Sequence, residues 1–207
     1  DAASGMSLVG TRGRAMAEAA TQAQTGMSAV VGGVEADVLA RVAELDLTPA
    51  NYNGAGQIVA AGDLVALAAL SAEAPRGTRV VPLQVAGAFH TRYMEPARAA
   101  LATAVDELVA SGAVQDPTTT LWTNSDGTTV ASGNRALELL VGQVASPVRW
   151  DLCMQSFADS GITGLVELTP GGTLVGLAKR ALRGVPAVAV KTPDDLSAAV
   201  ALLTDDA

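Results

Sequence analysis

One histidine occurs in the whole chain, His90, inside the run Val85-Ala86-Gly87-Ala88-Phe89-His90-Thr91. Imidazole is the side chain that titrates near neutrality without help, so proton transfer at pH 7 falls to it most often. In a hydrolase or transferase that pairs a nucleophile with a base, His90 is the natural base. A lone histidine is more often a satisfied core or surface residue, but the setting of this one argues for chemistry. It lies between a strand-like segment, Arg79 to Val85, and a helix-like segment that starts near Arg92. Strand-to-helix corners are where the active sites of α/β folds collect. The single thiol, Cys153, sits between Leu152 and Met154 in a helical pattern and reads as a small buried hydrophobe. One cysteine excludes an internal disulfide, and one histidine with no cysteine cluster argues against a zinc or iron–sulfur site, so no metal is expected.

The bulk composition narrows the partners. A formal net charge of -8 argues against nucleic acid as the main partner. No apolar run reaches the length of a membrane span, and the start lacks a basic stretch followed by an apolar block. Neither a membrane segment nor a secretory signal is therefore expected, and the chain reads as a soluble, cytoplasmic protein. With 49% apolar but only 3% aromatic residues, its core must be built from Ala, Val and Leu. A length of 207 residues allows a sizeable core and two subdomains.

The elements that must position His90 follow from periodicity. Met6, Val9, Met16 and Ala20 fall at helical spacing near the start, with no strand before them to pack on. The chain reads as beginning inside a larger domain. Met27 to Gly32 reads as a buried strand, and Gly33-Val34 opens a helix with Val38, Leu39, Val42 and Leu45 on one face. Thr48 to Asn53 and Gln57 to Gly62 read as a strand pair, and Asp63 as the cap of a helix carrying Leu64, Leu67 and Leu70. Arg79 to Val85 closes a β-α-β-β-α-β order over residues 26–87, which is the ferredoxin-like plan. The rest alternates helices and strands: helices at Tyr93 to Ser111, Asn134 to Val144, Pro147 to Asp159, Thr173 to Leu182 and Asp194 to Thr204. Strands are expected at Thr118 to Asn124, Ile162 to Leu168 and Val185 to Val190. That alternation implies a parallel sheet covered by helices.

Five segments occur in an order that resembles one family. They are Thr11-Arg12-Gly13-Arg14-Ala15-Met16, Asn51-Tyr52-Asn53-Gly54-Ala55-Gly56-Gln57-Ile58-Val59-Ala60-Ala61-Gly62, Gly87-Ala88-Phe89-His90-Thr91, Gln143-Val144-Ala145-Ser146-Pro147-Val148-Arg149-Trp150 and Glu167-Leu168-Thr169-Pro170-Gly171-Gly172-Thr173-Leu174. Together they resemble the malonyl-CoA:acyl-carrier-protein transacylases of bacterial fatty-acid synthesis, relatives of polyketide-synthase acyltransferase domains. The resemblance implies an α/β fold: an α/β-hydrolase-like parallel-sheet core, incomplete here (1–25 and 88–207), with an inserted ferredoxin-like subdomain (26–87). It implies a ping-pong reaction in which a Ser in a G-x-S-x-G elbow takes malonyl from malonyl-CoA and yields it to the phosphopantetheine thiol of acyl carrier protein. No cofactor beyond these substrates is implied.

Carried over residue by residue, His90 matches the family's base, oriented by the backbone carbonyl of Gln143, whose side chain is expected to be irrelevant. Arg12 matches the arginine that grips the malonyl carboxylate through two parallel hydrogen bonds. Arg14 is expected to be solvated. Met16 would line the acyl pocket. Phe89 is the bulky neighbour of the base that goes with malonyl, where a Ser accompanies methylmalonyl. Asn51, Asn53 and Gln57 would position the CoA or pantetheine arm, although such residues also serve turns. Pro170-Gly171-Gly172-Thr173 is expected to be structural. The family's elbow and its P-G-Q-G loop do not occur among these residues, and the resemblance places the elbow upstream of Arg12, so the nucleophile is expected on a missing N-terminal segment. The alternatives are an acyltransferase domain of a polyketide synthase and a non-catalytic acyl- or carrier-protein-binding module.

Overall fold

The computed structural model describes residues 1–204. Helix α1 (Ala2–Ala20) is capped by Asp1, whose carboxylate accepts the Ser4 backbone N–H at 2.8 Å. Then follow β1 (Thr25–Gly32), α2 (Glu35–Glu44), β2 (Thr48–Gly54), β3 (Gln57–Asp63), α3 (Leu64–Ala72) and β4 (Thr78–Pro82). The sheet order is β4-β1-β3-β2, with every one of these pairs antiparallel. This is the expected β-α-β-β-α-β arrangement. Asp63 caps α3 as anticipated, accepting from the Val65 N–H at 2.7 Å.

Both faces of the sheet are covered, which is why its central strands read as unbroken apolar runs. Side chains alternate along a strand, so Val30, Ile58 and Ala60 face α2 and α3, where Val38, Val42, Leu67 and Leu70 complete one core. Met27, Val59 and Ala61 point the other way and meet Ala88, with Phe89 and Tyr93 packed against them. The back of the sheet therefore rests on the segment that carries His90.

The remaining elements are α4 (Glu95–Ala110), α5 (Gly133–Gln143), β5 (Val148–Arg149), α6 (Trp150–Asp159), β6 (Leu165–Glu167), α7 (Thr173–Ala181), β7 (Ala187–Ala189) and α8 (Leu196–Thr204). A 3-10 turn, Arg92–Met94, leads into α4. Met16, Ala19 and Ala20 of α1 share a core with Ala97, Leu101 and Val105 of α4. The parallel-sheet core is represented by β6 paired in parallel with β7.

Three expectations need correction. The sheet over 26–87 has a fifth strand, because β5 joins β2 in parallel through Asn51 with Val148 and Tyr52 with Arg149. The same pairing delays α6, which starts at Trp150 rather than Pro147, since residues committed to a ladder cannot also be helical. Thr118 to Asn124 forms no ladder, only an isolated bridge between Trp122 and Thr129. There the chain turns back at once: Gly127 donates to the Thr123 carbonyl at 3.0 Å and Thr123 to that of Thr128 at 2.9 Å. Gly127 itself has φ +74 and lies so close to α6 that an added Cβ would stand 2.5 Å from the Leu152 carbonyl carbon, so glycine is required on both counts.

Glu167 ends β6 and fastens the Pro170-Gly171-Gly172 loop. Its carboxylate accepts backbone N–H groups of Gly172 (2.8 Å), Leu174 (3.0 Å) and Val175 (2.9 Å) at the start of α7. Those donors are thus occupied internally, which supports the structural reading of this loop. Burial alone would raise the carboxyl pKa, but the backbone donors prevail and hold it below the usual carboxylate range. A lowered carboxylate stabilises the fold above its unfolded value near pH 4.3, and the contribution is lost as pH falls through the folded value. Glu167→Gln should therefore cost about 1–2 kcal/mol at pH 7. Urea unfolding checks this: the variant's midpoint should lie below that of the parent at pH 7 and converge on it in acid.

Candidate active site

Sequence chemistry makes the corner around His90 a tight fit. Gly87 packs so closely on α1 that an added Cβ would stand 3.0 Å from the Ala20 Cβ. The Ala88 N–H donates to Thr25 Oγ1 at 3.0 Å, and Thr91 Oγ1, fully buried, donates to the Ala88 carbonyl at 2.6 Å. Between these fastenings His90 adopts φ 62, the left-handed region that only a few per cent of non-glycine residues occupy. Such backbone strain persists where surrounding bonds over-determine it, and it concentrates at functional sites.

The imidazole Nδ1 donates to the Gln143 carbonyl at 3.0 Å. A carbonyl can only accept, so the neutral ring carries its proton on Nδ1 and leaves the Nε2 lone pair free. Gln143 is the last residue of α5, where carbonyls lack intrahelical donors. Its oxygen also receives the Ser146 N–H at 3.3 Å. Burial lowers the His90 pKa first of all; the Gln143 and Ser146 backbone raises it, and the positive charge of Arg12 lowers it further, leaving it below the ordinary imidazole value. A reaction that needs neutral His90 should therefore hold its rate down through pH 6.5 and lose it only below that value. A rate profile with its acid limb above pH 7 would contradict this.

Arg12 and Met16 of α1 line one cavity of about 290 Å³ together with Phe89 and His90. Met16 is also part of the α1–α4 core, and Phe89 is wedged between that core and the back of the sheet. Arg12 is partly buried, and desolvation lowers its pKa. It takes part in no ion pair among the described residues. Its one side-chain partner is neutral: Arg12 Nη2 donates to Gln143 Oε1 at 3.5 Å. The Gln143 side chain thus has a partner within the site, alongside its carbonyl's contact with His90. Arg14 is exposed and reaches only Thr11 Oγ1, as expected of a solvated residue. Cys153 is buried and its thiol pushed up to about 11, first by desolvation, so it is no nucleophile.

Asn51, Asn53 and Gln57 lie on the β2–β3 hairpin and do not line the His90 cavity. Asn53 Nδ2 donates to Gln57 Oε1 at 3.4 Å, and Arg180 of α7 donates to the same oxygen at 3.2 Å. Arg180 escaped the sequence reading because its meeting with Gln57 spans much of the chain; its place in the basic last turn of α7 was the available signal. Among the described residues no group of three His, Cys, Asp or Glu could hold a metal, and no helix is long and apolar enough to cross a membrane.

No protein-family model matches the chain. The malonyl CoA-acyl carrier protein transacylase of Mycobacterium tuberculosis is 52% identical over 191 residues, covering 92% of this chain and 62% of that relative. Its crystal structure superposes with a TM-score of 0.86 over the same shares of the two chains. Over nearly its whole length the chain is thus similar to the malonyl CoA-acyl carrier protein transacylases. The transacylase of Escherichia coli is more distant, 30% identical over 208 residues, with 98% of this chain and 66% of that one covered. The transacylase structure from Helicobacter pylori matches with a TM-score of 0.87 at 27% identity, over 100% of this chain and 66% of that one. The chain thus spans about 62% of the length of these mycobacterial transacylases.

Proposed function

We propose that this chain supplies the base and the carboxylate clamp of a transacylase that moves malonyl from malonyl-CoA to the thiol of acyl carrier protein. One observation carries the reading. A base oriented through Nδ1 by a main-chain carbonyl shares a cavity with a partly buried guanidinium that has no carboxylate of its own. A substrate carboxylate would satisfy that cation, and the acyl carbon beside it would then lie near His90 Nε2. His90 would take the nucleophile's proton and pass it to the departing CoA thiolate, then take the incoming thiol's proton and return it to the nucleophile's oxygen as that leaves. No G-x-S-x-G elbow occurs in the 207 residues, so the nucleophile belongs to residues outside them in this reading.

Residues 26–87 act as a subdomain resting on the His90 segment, with 1–25 and 88–207 as part of the transacylase core. Asn53 and Gln57, with Arg180 against them, offer amides and a cation to the pantetheine arm outside the acyl pocket, with Asn51 alongside on the same strand. Phe89, held on two sides, presses where a 2-methyl group would go, and overpacking a tight site costs about 1–3 kcal/mol. The setting is cytoplasmic, with acyl carrier protein as the macromolecular partner.

The test is competitive labelling of a protein of the relatives' full length carrying this sequence. Malonyl-, methylmalonyl- and acetyl-CoA are offered together and the adducts weighed by intact-mass spectrometry. Malonyl should dominate by at least about tenfold, the factor that corresponds to ~1.4 kcal/mol. Equal labelling by malonyl and methylmalonyl removes Phe89 as the gate, and absence of any acyl adduct removes the enzyme reading.

A further inference from the structure

We infer that the Gln143 side chain is a positioning residue, which ties the Arg12 clamp to the same helix terminus that orients His90. Two contacts carry this. The main-chain oxygen of Gln143 holds His90 Nδ1 at 3.0 Å, and its side-chain oxygen receives Arg12 Nη2 at 3.5 Å. One residue thus grips the base with an atom that no substitution removes and the clamp with an atom that a substitution can remove. The inference rests on the proposed role of Arg12 in binding a substrate carboxylate.

The choice of glutamine has a physical reason. An amide oxygen can accept one guanidinium N–H while leaving the cation's charge and remaining donors for a ligand. A carboxylate at the same place would form an ion pair with Arg12 and compete with the substrate. A partly buried arginine without any acceptor would lose the preferred orientation of its fork, since its long side chain carries much rotamer freedom. A neutral acceptor therefore orients the clamp without satisfying it. Arg12 is indeed without an ion pair among the described residues.

His90 is the only histidine among these 207 residues, and in a protein of the relatives' full length carrying this sequence its ring resonances are assigned by their loss in His90→Asn. The probe is malonate, with acetate as the control, titrated at fixed pH while the His90 ring ¹⁵N and ¹H resonances are followed. In the parent protein malonate should perturb His90 saturably and acetate should do so far less. Gln143→Met keeps the size and the carbonyl but loses the acceptor, so the Nδ1–H tautomer signature should persist while malonate affinity falls about three- to tenfold. Gln143→Glu keeps the carbonyl and places a charge on Arg12, so the malonate response should fall more than tenfold. Malonate affinity in Gln143→Met equal to that of the parent overturns the inference and leaves the transacylase reading intact. If Gln143→Met also loses the tautomer signature, Gln143→Glu decides, and a full malonate response there overturns the inference. No malonate response in the parent protein removes Arg12 as a clamp, and this inference falls with it.

Discussion

His90→Ala, made in a protein of the relatives' full length, should slow acylation by malonyl-CoA about 10²–10⁴-fold. The magnitude follows from geometry. His90 Nδ1 is committed to the Gln143 carbonyl, so Nε2 is the nitrogen left with a free lone pair, and no second histidine occurs among these 207 residues. A hydroxyl nucleophile without a base is almost wholly protonated at neutral pH, and base and nucleophile act as one unit. Substrate capture should suffer far less, because the clamp is Arg12. Rapid-quench single-turnover kinetics separate the two: the acylation rate should collapse while malonyl-CoA affinity stays within a few-fold. Because φ at position 90 is 62, alanine also bears backbone strain, and His90→Asn is the companion variant that tolerates this conformation. A His90→Asn enzyme within tenfold of the parent rate would sink the assignment of the base.

Arg12→Ala should cut malonyl kcat/KM by about 10²–10³-fold, or ~3–4 kcal/mol, in the lower part of the range lost when a buried charge pair is broken. The whole loss should fall on the substrate that bears a carboxylate. Acetyl transfer has no carboxylate to strand, so its rate should hold or rise relative to malonyl, and the preference between the two should narrow or invert. Arg12→Lys keeps the charge but not the planar fork and should recover only part of the loss. The measurement is kcat/KM for malonyl- and acetyl-CoA with each variant. Equal losses for both thioesters would show that Arg12 serves the fold rather than the carboxylate.

Much of this architecture was legible in the residues because local and global signals agree. The β-α-β-β-α-β unit announced itself through apolar runs of strand length, an Asp63 cap and a glycine-rich hairpin, each of which acts within a few residues. The corner bearing His90 was legible for the same reason. Thr118 to Asn124 misled because β-branched content signals a strand, whereas a strand needs a ladder partner that local sequence does not reveal. The two-residue β5 was hidden behind Pro147, a residue that favours a helix start as much as an extended approach. Within the site, the carbonyl of Gln143 was anticipated through the family resemblance. Its side-chain contact with Arg12 was not, since a contact between residues so distant along the chain has no periodicity to betray it. The meeting of Gln57 with Arg180 was invisible for that reason too.

The partner that orients His90 belongs to the main chain, and this changes how the site can vary over generations. An aspartate in that place would be one codon change from loss, and each of its rotatable bonds would add positional error to the ring. The Gln143 carbonyl is encoded by every codon, and it is held from two directions, by α5 before it and by the β5 pairing a few residues after it. Point substitution therefore cannot delete it; only an insertion, a deletion or a distortion between α5 and β5 can. A neutral carbonyl also stabilises an imidazolium less than a carboxylate would, so it favours the uncharged ring that a waiting base requires. The mutational target for losing the orientation of this base is thus the length of one short connection rather than the identity of one residue.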